Sequence, residues 1–226
     1  MSCASVFAVY RQGTMMMASD VLHEPSRSPL LRYDLSSSLY LYTHIGKRVP
    51  LWLLVACEHS GNGFLWILGV LALLFVPGTS PWLRAFAINL ELGFLLDLLI
   101  IGVVKLLVKR ARPAYAEKEY HATIIADKYS FPSGHASRCI FIGMAFVVFR
   151  SICHPLVIAA AVVWAACTSL SRVLLGRHYI GDVLTGAVIG VVIAALLSEV
   201  RVRSNTSISV DQLMHASTCT GPRQLY

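Results

Sequence analysis

Charged residues are scarce in this 226-residue sequence. Only 14% of the residues are Asp, Glu, Lys or Arg and 56% are hydrophobic, whereas a soluble domain has about 25% charged residues. Mean hydropathy is +0.66, and the apolar residues are grouped in blocks. This pattern argues against an ordinary soluble domain and indicates an integral-membrane protein.

The sequence also lacks any CxxC pair and has few acidic residues. Its six cysteines are dispersed, so zinc ribbons and dithiol redox motifs are not supported and reduced thiols in a bundle are expected. Asp and Glu number 12 against 19 Lys and Arg, which gives a net charge of +7. Several cations stand beside apolar runs, so we expect membrane lipids with anionic headgroups or an anionic substrate as partners, and no nucleic acid.

Five apolar blocks follow one another in the middle of the chain. Backbone groups in lipid must be hydrogen-bonded internally, so each block predicts a helix, and a full span needs about 20 residues. Glu58 and His59 interrupt the first block, which is either one kinked span or a re-entrant piece followed by a span. These two residues could also gate a substrate path, although a simple helix break explains them too. The blocks are 51–76, 82–108, 136–149, 156–170 and 183–200.

The blocks divide the chain into three parts. Residues 1–48 form a polar region that we expect to be disordered, residues 49–200 form the membrane domain, and residues 201–226 form a polar tail. The sequence therefore predicts an all-α, multi-span transmembrane bundle with five spans.

A first polar cluster lies at the end of the second block. Lys105 and Arg112 are seven residues apart, which is two helical turns, so they share a helix face. Pro113 then stops the helix. Cations that converge there would form an anion site, and the alternative is a set of cations that only flank a transmembrane helix.

A second cluster, Pro132 to His135, opens the third block. A helix N-terminus presents unpaired N–H groups and the positive end of the helix dipole, so it binds phosphate well. Gly134 lets the backbone approach a ligand closely, and Ser133 can cap the helix or bond a phosphate oxygen. An ordinary helix start is the alternative, but it leaves His135 unexplained.

A third cluster joins the last two blocks. His178 and Asp182 are four residues apart, so their side chains can touch on a helix. A carboxylate that accepts from one imidazole nitrogen makes the other a better nucleophile. A helix-start histidine with a nearby acid is the alternative. Arg172 lies six residues before His178, across a predicted turn at Gly176, and can add a cation.

All three clusters can lie at one membrane face, since the chain crosses the bilayer twice between the second and the third. Two histidines and one aspartate are also a possible metal-ligand set. However, Lys105, Arg112 and Arg172 would repel a metal ion at this place. The pattern favours an anion centre stabilised by cations, so we expect no metal and no cofactor.

In this order and spacing the clusters resemble the signature of the type 2 phosphatidic acid phosphatase superfamily, which includes bacterial acid phosphatases and vanadium haloperoxidases. Its first motif, Lys, six residues, then Arg-Pro, is KLLVKRARP here, from Lys105 to Pro113. Its second, PSGH, runs from Pro132 to His135. Its third, SRxxxGxHxxxD, is SRVLLGRHYIGD, from Ser171 to Asp182. The motifs are intact and span 78 of the 226 residues.

The resemblance implies a transmembrane bundle of the phosphatase and haloperoxidase type and a role for each motif residue. His178 would form a phosphohistidine and Asp182 would orient it. His135 would protonate the leaving oxygen and then activate water. The phosphoryl oxygens would be held by Lys105, Arg112, Ser133, Gly134 and Arg172.

Within the superfamily, the small size and the acidic residues of the second block are most similar to the polyisoprenoid diphosphate phosphatases. That resemblance implies presqualene, farnesyl and geranylgeranyl diphosphates or monophosphates as substrates, in the membrane of the endoplasmic reticulum or the nuclear envelope. Lys109 and Arg110 could hold the second phosphate. Family members typically have six spans, one more than counted here.

Three alternatives stay open. The chain could be a general phosphatase of phosphatidate or sphingosine phosphate. It could be a catalytically silent membrane scaffold, although such members usually lose a motif histidine or cation and this chain keeps them all. A transporter would show paired charges in the middle of the membrane and repeated halves, and only Glu91 and Asp97 hint at the first of these features.

Overall fold

The computed structural model describes residues 28–115, 128–150 and 153–198. Within these ranges the chain is helical, as predicted, and the pairing of extended residues there is one isolated bridge between Ala111 and Tyr129. The helices are α1 Pro29–Leu41, continued by a π-helix Tyr42–Gly46, then α2 Leu51–Ser60, α3 Gly63–Leu74, α4 Pro81–Val108, α5 Gly134–Val148, α6 Pro155–Leu174 and α7 Ile180–Ser198.

A helix precedes the first apolar block. Ser28 caps the first turn of α1 through its hydroxyl, and Leu35 is buried against the ring of Tyr179 and its neighbours. The expectation that residues 1–48 are disordered is therefore corrected for residues 29–46. The available signal was the apolar stripe Leu31, Leu35, Leu39 and Tyr42, which repeats at helical spacing and packs into one cluster.

The first block forms two helices that meet at a bend of 45°. Asn62 begins α3, and its Oδ1 accepts from Phe64 N at 2.9 Å. Two indole N–H groups donate hydrogen bonds to Ser60, the last residue of α2 before the bend. Trp66 Nε1 donates to the Ser60 carbonyl at 2.7 Å, and Trp164 Nε1 of α6 donates to Ser60 Oγ at 2.8 Å. The bend is thus bonded both to its own continuation and to α6.

The last four helices run in alternating directions. We call the end where α4 and α6 finish and α5 and α7 begin the polar end. Ser133 N donates to the Asp182 carbonyl at 3.0 Å, which joins the starts of α5 and α7. A Cβ at Gly186 would collide with the Ser133 carbonyl, and one at Gly190 with the Ser137 carbonyl. These two glycines therefore let α7 lie directly against the first turns of α5.

The other end, where α4 begins and α5 finishes, is apolar. Phe86 packs edge-on against Phe149 with ring centroids 4.9 Å apart, and Phe94 packs against Phe141 at 5.7 Å. Gly93 gives the Phe141 ring its room, since a Cβ there would overlap the ring. We call this set, with the residues packed on it, the aromatic core.

A buried ion pair lies between the two ends. Asp97 of α4 accepts from Ser137 Oγ at 2.5 Å and pairs with Arg138 at 3.2 Å. Both carboxylate oxygens of Asp97 are therefore used in joining α4 to α5. This arrangement accounts for an acid inside an apolar block without any transported ion.

Within the described residues, the helices that are long and apolar enough to cross a membrane are α6 and α7, and the bent pair α2–α3 would make a third span if counted as one. The five-span expectation is thus supported in part. Helix α5 has 15 residues, short of the about 20 that a span needs. The predicted tail, 201–226, lies outside the described residues.

Candidate active site

The polar end gathers the residues that the three sequence motifs singled out. Lys105 lies in the last turn of α4 and Arg172 in the last turn of α6. Ser133 is the N-cap of α5, and His178 and Asp182 lie just before and at the start of α7. All five are buried. Charged and polar groups that are buried this close together need hydrogen-bond partners, from the protein or from a ligand.

A tight turn places His178. Gly176, with a φ of 68°, reverses the chain after α6 in the left-handed region that favours glycine. The N–H groups of Arg177 and His178 then bond back to the Arg172 carbonyl at 3.0 and 3.2 Å. The end of α6 and the imidazole are therefore held as one unit, which explains the spacing of the third motif.

The imidazole of His178 is oriented by a backbone carbonyl. Its Nδ1 lies 2.7 Å from the Ser130 carbonyl oxygen, which can only accept a hydrogen bond. Nδ1 therefore carries the proton, and in the neutral ring Nε2 keeps its lone pair. Nε2 is the atom available for nucleophilic attack.

Burial lowers the pKa of His178 well below its usual value, and the positive charges of Arg172, Arg112 and Lys105 lower it further. The Ser130 hydrogen bond acts in the opposite direction but does not outweigh these causes. At neutral pH the ring is thus neutral, which is the nucleophilic form. The same three cations therefore lie within electrostatic reach of His178, as an anion site requires.

Asp182 does not orient His178 in the way that the resemblance implied. Its Oδ2 is 3.7 Å from His178 Nδ1, beyond hydrogen-bonding distance, and accepts instead from Tyr179 N at 2.9 Å. Its Oδ1 accepts from Arg110 at 2.7 Å. The carboxylate therefore fixes the loop that carries His178, while the direct bond to the ring comes from Ser130.

Arg110 joins the N-terminal helix to this loop. Its guanidinium pairs with Asp34 of α1 and with Asp182, both at 2.7 Å, and stacks over the Tyr179 ring at 4.0 Å. The idea that Arg110 holds a second phosphate is therefore corrected, because two carboxylates already occupy it. Lys109, at the end of α4, is exposed.

Helix α1 caps the start of α7. Asp34 Oδ1 accepts from Gly181 N at 2.8 Å, and Ser38 Oγ accepts from Ile180 N at 2.9 Å. These N–H groups would otherwise be unpaired at a helix N-terminus. The first turn of α7 is thus satisfied within the protein, and a phosphate would be cradled by α5 instead.

The start of α5 retains the features expected of a phosphate cradle. Ser133 Oγ accepts from Ala136 N at 3.4 Å as an N-cap, while its hydroxyl hydrogen can still be donated. His135, in the first turn, is partly exposed and lies within electrostatic reach of His178 and Arg172. A Cβ at Gly61 would stand 3.4 Å from the His135 ring, so the bend between α2 and α3 borders the site.

Backbone carbonyls before the second motif complete the site. Lys105 Nζ donates to the Tyr129 carbonyl at 2.8 Å, next to the Ser130 carbonyl that orients His178. Ser130 N donates to the Arg110 carbonyl at 2.8 Å, which ties this segment to the turn after α4. Neither carbonyl was predicted from the sequence, because a backbone acceptor leaves no side-chain signal. The one clue in the sequence was that Tyr129 and Ser130 lie just before the PSGH motif.

Arg172 is the most deeply buried of the predicted cations, with 1% of its surface exposed. Its NH1 lies 2.7 Å from Glu58 Oε1 of α2. In the ranges that the structure describes, no group of three or more His, Cys, Asp or Glu side chains is placed to hold a metal ion. A neutral imidazole within electrostatic reach of three cations can serve the transfer of an anionic group.

The chain is similar to known phosphatases. A family model described as the PAP2 superfamily matches residues 86–205. The probable lipid phosphate phosphatase beta of Arabidopsis thaliana is 35% identical over 189 residues, which cover 73% of this chain and 86% of that protein. The decaprenylphosphoryl-5-phosphoribose phosphatase of Mycobacterium tuberculosis is 30% identical over 158 residues, 70% of this chain and 76% of that protein.

The fold has a counterpart among solved structures. The crystal structure of a transmembrane PAP2 type phosphatidylglycerolphosphate phosphatase from Bacillus subtilis superposes with a TM-score of 0.62 at 23% identity. The match covers 87% of this chain and 96% of that one. At this level of identity the likeness shows the fold.

Proposed function

The chain belongs to the PAP2 superfamily, and from that premise we propose that it is a metal-independent membrane phosphatase of isoprenoid phosphates and diphosphates. Its class, a phosphoric monoester hydrolase, follows from the family and from the phosphatases named among its relatives. The observation that carries the mechanism is the bond from His178 Nδ1 to the Ser130 carbonyl, which leaves Nε2 as the nucleophile.

Two displacements at phosphorus complete the reaction. First, His178 Nε2 attacks the terminal phosphorus and the bond from that phosphorus to the leaving oxygen breaks, which is the lipid oxygen of a monophosphate or the bridging oxygen of a diphosphate. Protonated His135 gives that oxygen its proton. Next, His135 takes a proton from water, the water oxygen attacks the phosphohistidine, and the bond from phosphorus to Nε2 breaks. Inorganic phosphate leaves, and His178 is neutral again.

Charge stabilisation is assigned to the cations and to the start of α5. Lys105, Arg112 and Arg172 would hold the phosphoryl oxygens, with hydrogen bonds from Ser133 and Gly134. Three fixed cations supply the charge that magnesium supplies in kinases, so no metal is needed. The lowered pKa of His178 supports this assignment, since these same three cations contribute to it.

The substrate class is an isoprenoid lipid in this proposal. One relative is named for a decaprenyl-linked substrate, and the exposed leucines of α4 suit a long apolar chain beside the site. Lys109 remains to meet a second phosphate, because Arg110 is paired with carboxylates. We place the enzyme in the membrane of the endoplasmic reticulum and the nuclear envelope, which organelle markers beside a tagged chain would test.

The test is phosphate release by the detergent-solubilised protein with and without excess EDTA. The panel contains farnesyl and presqualene diphosphates, farnesyl monophosphate, phosphatidate and sphingosine phosphate. We expect activity to survive EDTA and the isoprenoid substrates to be cleaved faster than phosphatidate. Activity that EDTA removes and magnesium restores would contradict the metal-free mechanism. A preference for phosphatidate would refute only the isoprenoid assignment, and no release from any substrate would favour a silent scaffold.

A further inference from the structure

A carboxylate from outside the three motifs reaches the candidate phosphate site. Glu58 Oε1 lies 2.7 Å from Arg172 NH1 and 3.9 Å from Arg177 Nε. The Glu58 side chain is 16% exposed and that of Arg172 is 1% exposed. An unpaired charge at either position would be costly, so the pairing satisfies both residues.

The backbone around Glu58 is fixed in place. The carbonyl and the hydroxyl of Ser60 each accept from an indole N–H, one from α3 and one from α6. Gly61 is packed so closely that a Cβ would stand 2.8 Å from Thr168 Cγ2 and 2.9 Å from Cys139 Sγ. A segment held in this way is a poor gate, because opening would break these contacts together. It is a good support for a side chain that must not move.

The guanidinium of Arg172 is only partly used by this pair. NH1 lies 2.7 Å from Glu58 Oε1 as an ion pair, and neither the buried Nε nor the buried NH1 has an acceptor in hydrogen-bond geometry among the described residues. A buried N–H without an acceptor is unfavourable, and an anion oxygen would satisfy it. The charge of Arg172 lowers the pKa of His178, so this open donor lies within electrostatic reach of the nucleophile.

We propose that Glu58 is a positioning residue, which fixes the Arg172 guanidinium through NH1 so that its remaining N–H donors meet the phosphoryl group. The proposal rests on the proposed function, which assigns Arg172 to the substrate phosphate. Glu58 itself touches no reacting atom. Its carboxylate stays on Arg172 throughout the reaction and is not displaced by substrate.

The experiment is a double-mutant cycle with Glu58→Gln and Arg172→Lys, the second of which keeps the charge but not the planar fork. We measure kcat and KM in detergent micelles and the inhibition constant of inorganic phosphate. Glu58→Gln is expected to lower kcat and weaken phosphate inhibition, each on the order of 10- to 100-fold, the value of a hydrogen bond to a charged group. In the Arg172→Lys background the same change should have a much smaller effect.

Glu58→Asp and Glu91→Gln are the companion variants. Glu58→Asp keeps the charge and should retain more activity than Glu58→Gln. Glu91→Gln makes the same chemical change on α4, 14 residues before Lys105, roughly 21 Å away along the helix, and should behave as the parent protein. Thermal unfolding in detergent is recorded for each variant, so that a loss of fold is separated from a loss of rate.

The outcomes separate this proposal from the proposed function. If Arg172→Lys is impaired but Glu58→Gln has the parent's kcat and phosphate inhibition, the positioning role is wrong and the proposed function stands. The positioning role is equally wrong if Glu58→Gln only lowers the melting temperature, or if it tightens phosphate inhibition, which would make Glu58 a competitor of the substrate. If Arg172→Lys and Arg172→Ala both keep full activity, the assignment of Arg172 in the proposed function fails.

Discussion

The polar end and the aromatic core use different interactions to hold the same helices together. At the polar end, Arg110 links two carboxylates from different helices at 2.7 Å each. In the aromatic core the contacts are between rings such as Phe94 and Phe141, with centroids 5.7 Å apart. One end is therefore fixed by directional bonds and the other by non-directional packing.

This difference matches what each end has to do. Packing tolerates small shifts, because apolar contacts depend weakly on angle. The proposed nucleophile, His178, must keep its orientation, and it is held by a backbone carbonyl whose segment is itself bonded to the turn after α4. We therefore expect changes at the polar end to reduce the rate, and changes in the aromatic core to reduce mainly the stability.

The largest expected effect is at the nucleophile. His178→Ala should abolish turnover and the phosphoenzyme, because the variant loses the imidazole that the Ser130 carbonyl orients among the cations. Arg172→Ala should raise the barrier by about 3–4 kcal/mol, the value of an oxyanion-hole donor. Both are measured by phosphate release and by labelling with ³²P-substrate. A His178→Ala protein that still becomes labelled would show that the nucleophile is elsewhere.

The next-largest effect tests whether the ion pairs of Arg110 with Asp34 and Asp182 contribute to the rate. Arg110→Gln removes the cation shared by Asp34 and Asp182, leaving two carboxylates close together beside the loop that carries His178. We expect kcat to fall on the order of 10- to 100-fold with a smaller change in KM. Arg48→Gln, at an exposed position shortly before α2, is the matched control. A normal kcat for Arg110→Gln would mean that the network supports the fold without contributing to the rate.

A smaller effect concerns pH. The lowered pKa of His178 keeps the ring neutral as the pH falls through 6.5, so activity should be lost only further into the acid range. Arg112→Gln removes one of the causes, so the pKa should rise and the acid limb of kcat/KM should move to higher pH. The assay would use an aryl phosphate with a good leaving group, because cleavage of such a substrate depends less on protonation by His135. Arg84→Gln, at the start of α4, is the control, and an acid limb that stays in place or moves to lower pH would contradict this assignment.

The smallest effect on rate is expected in the aromatic core. Phe141→Ala should lower stability by about 3–5 kcal/mol, as large-to-small core changes do, and leave kcat of the folded enzyme nearly unchanged. Phe141→Leu should lower the stability by a smaller amount. Unfolding in detergent and active-site-normalised rates would be measured together. A large loss of kcat with intact stability would erase the contrast between the two ends.

Much of the fold and of the site could be predicted from the sequence. The apolar blocks predicted the membrane helices, and the order of the three motifs predicted which helix ends meet. Helix α1 was missed because it lies outside the long apolar blocks, although Leu31, Leu35, Leu39 and Tyr42 repeat there at helical spacing. The role of Ser130 was hidden because a carbonyl acceptor has no side-chain signature, and the pairing of Glu58 with Arg172 depends on a bend whose direction the sequence does not encode.

The central claim is that Nε2 of His178 accepts the phosphoryl group while Nδ1 stays bonded to the Ser130 carbonyl. The direct measurement is to trap the phosphoenzyme at short times in EDTA and to determine, by mass spectrometry and NMR of the phosphopeptide, which ring nitrogen carries phosphate. We predict phosphate on Nε2 of His178. Phosphate on Nδ1, on His135 or on no histidine would contradict the claim.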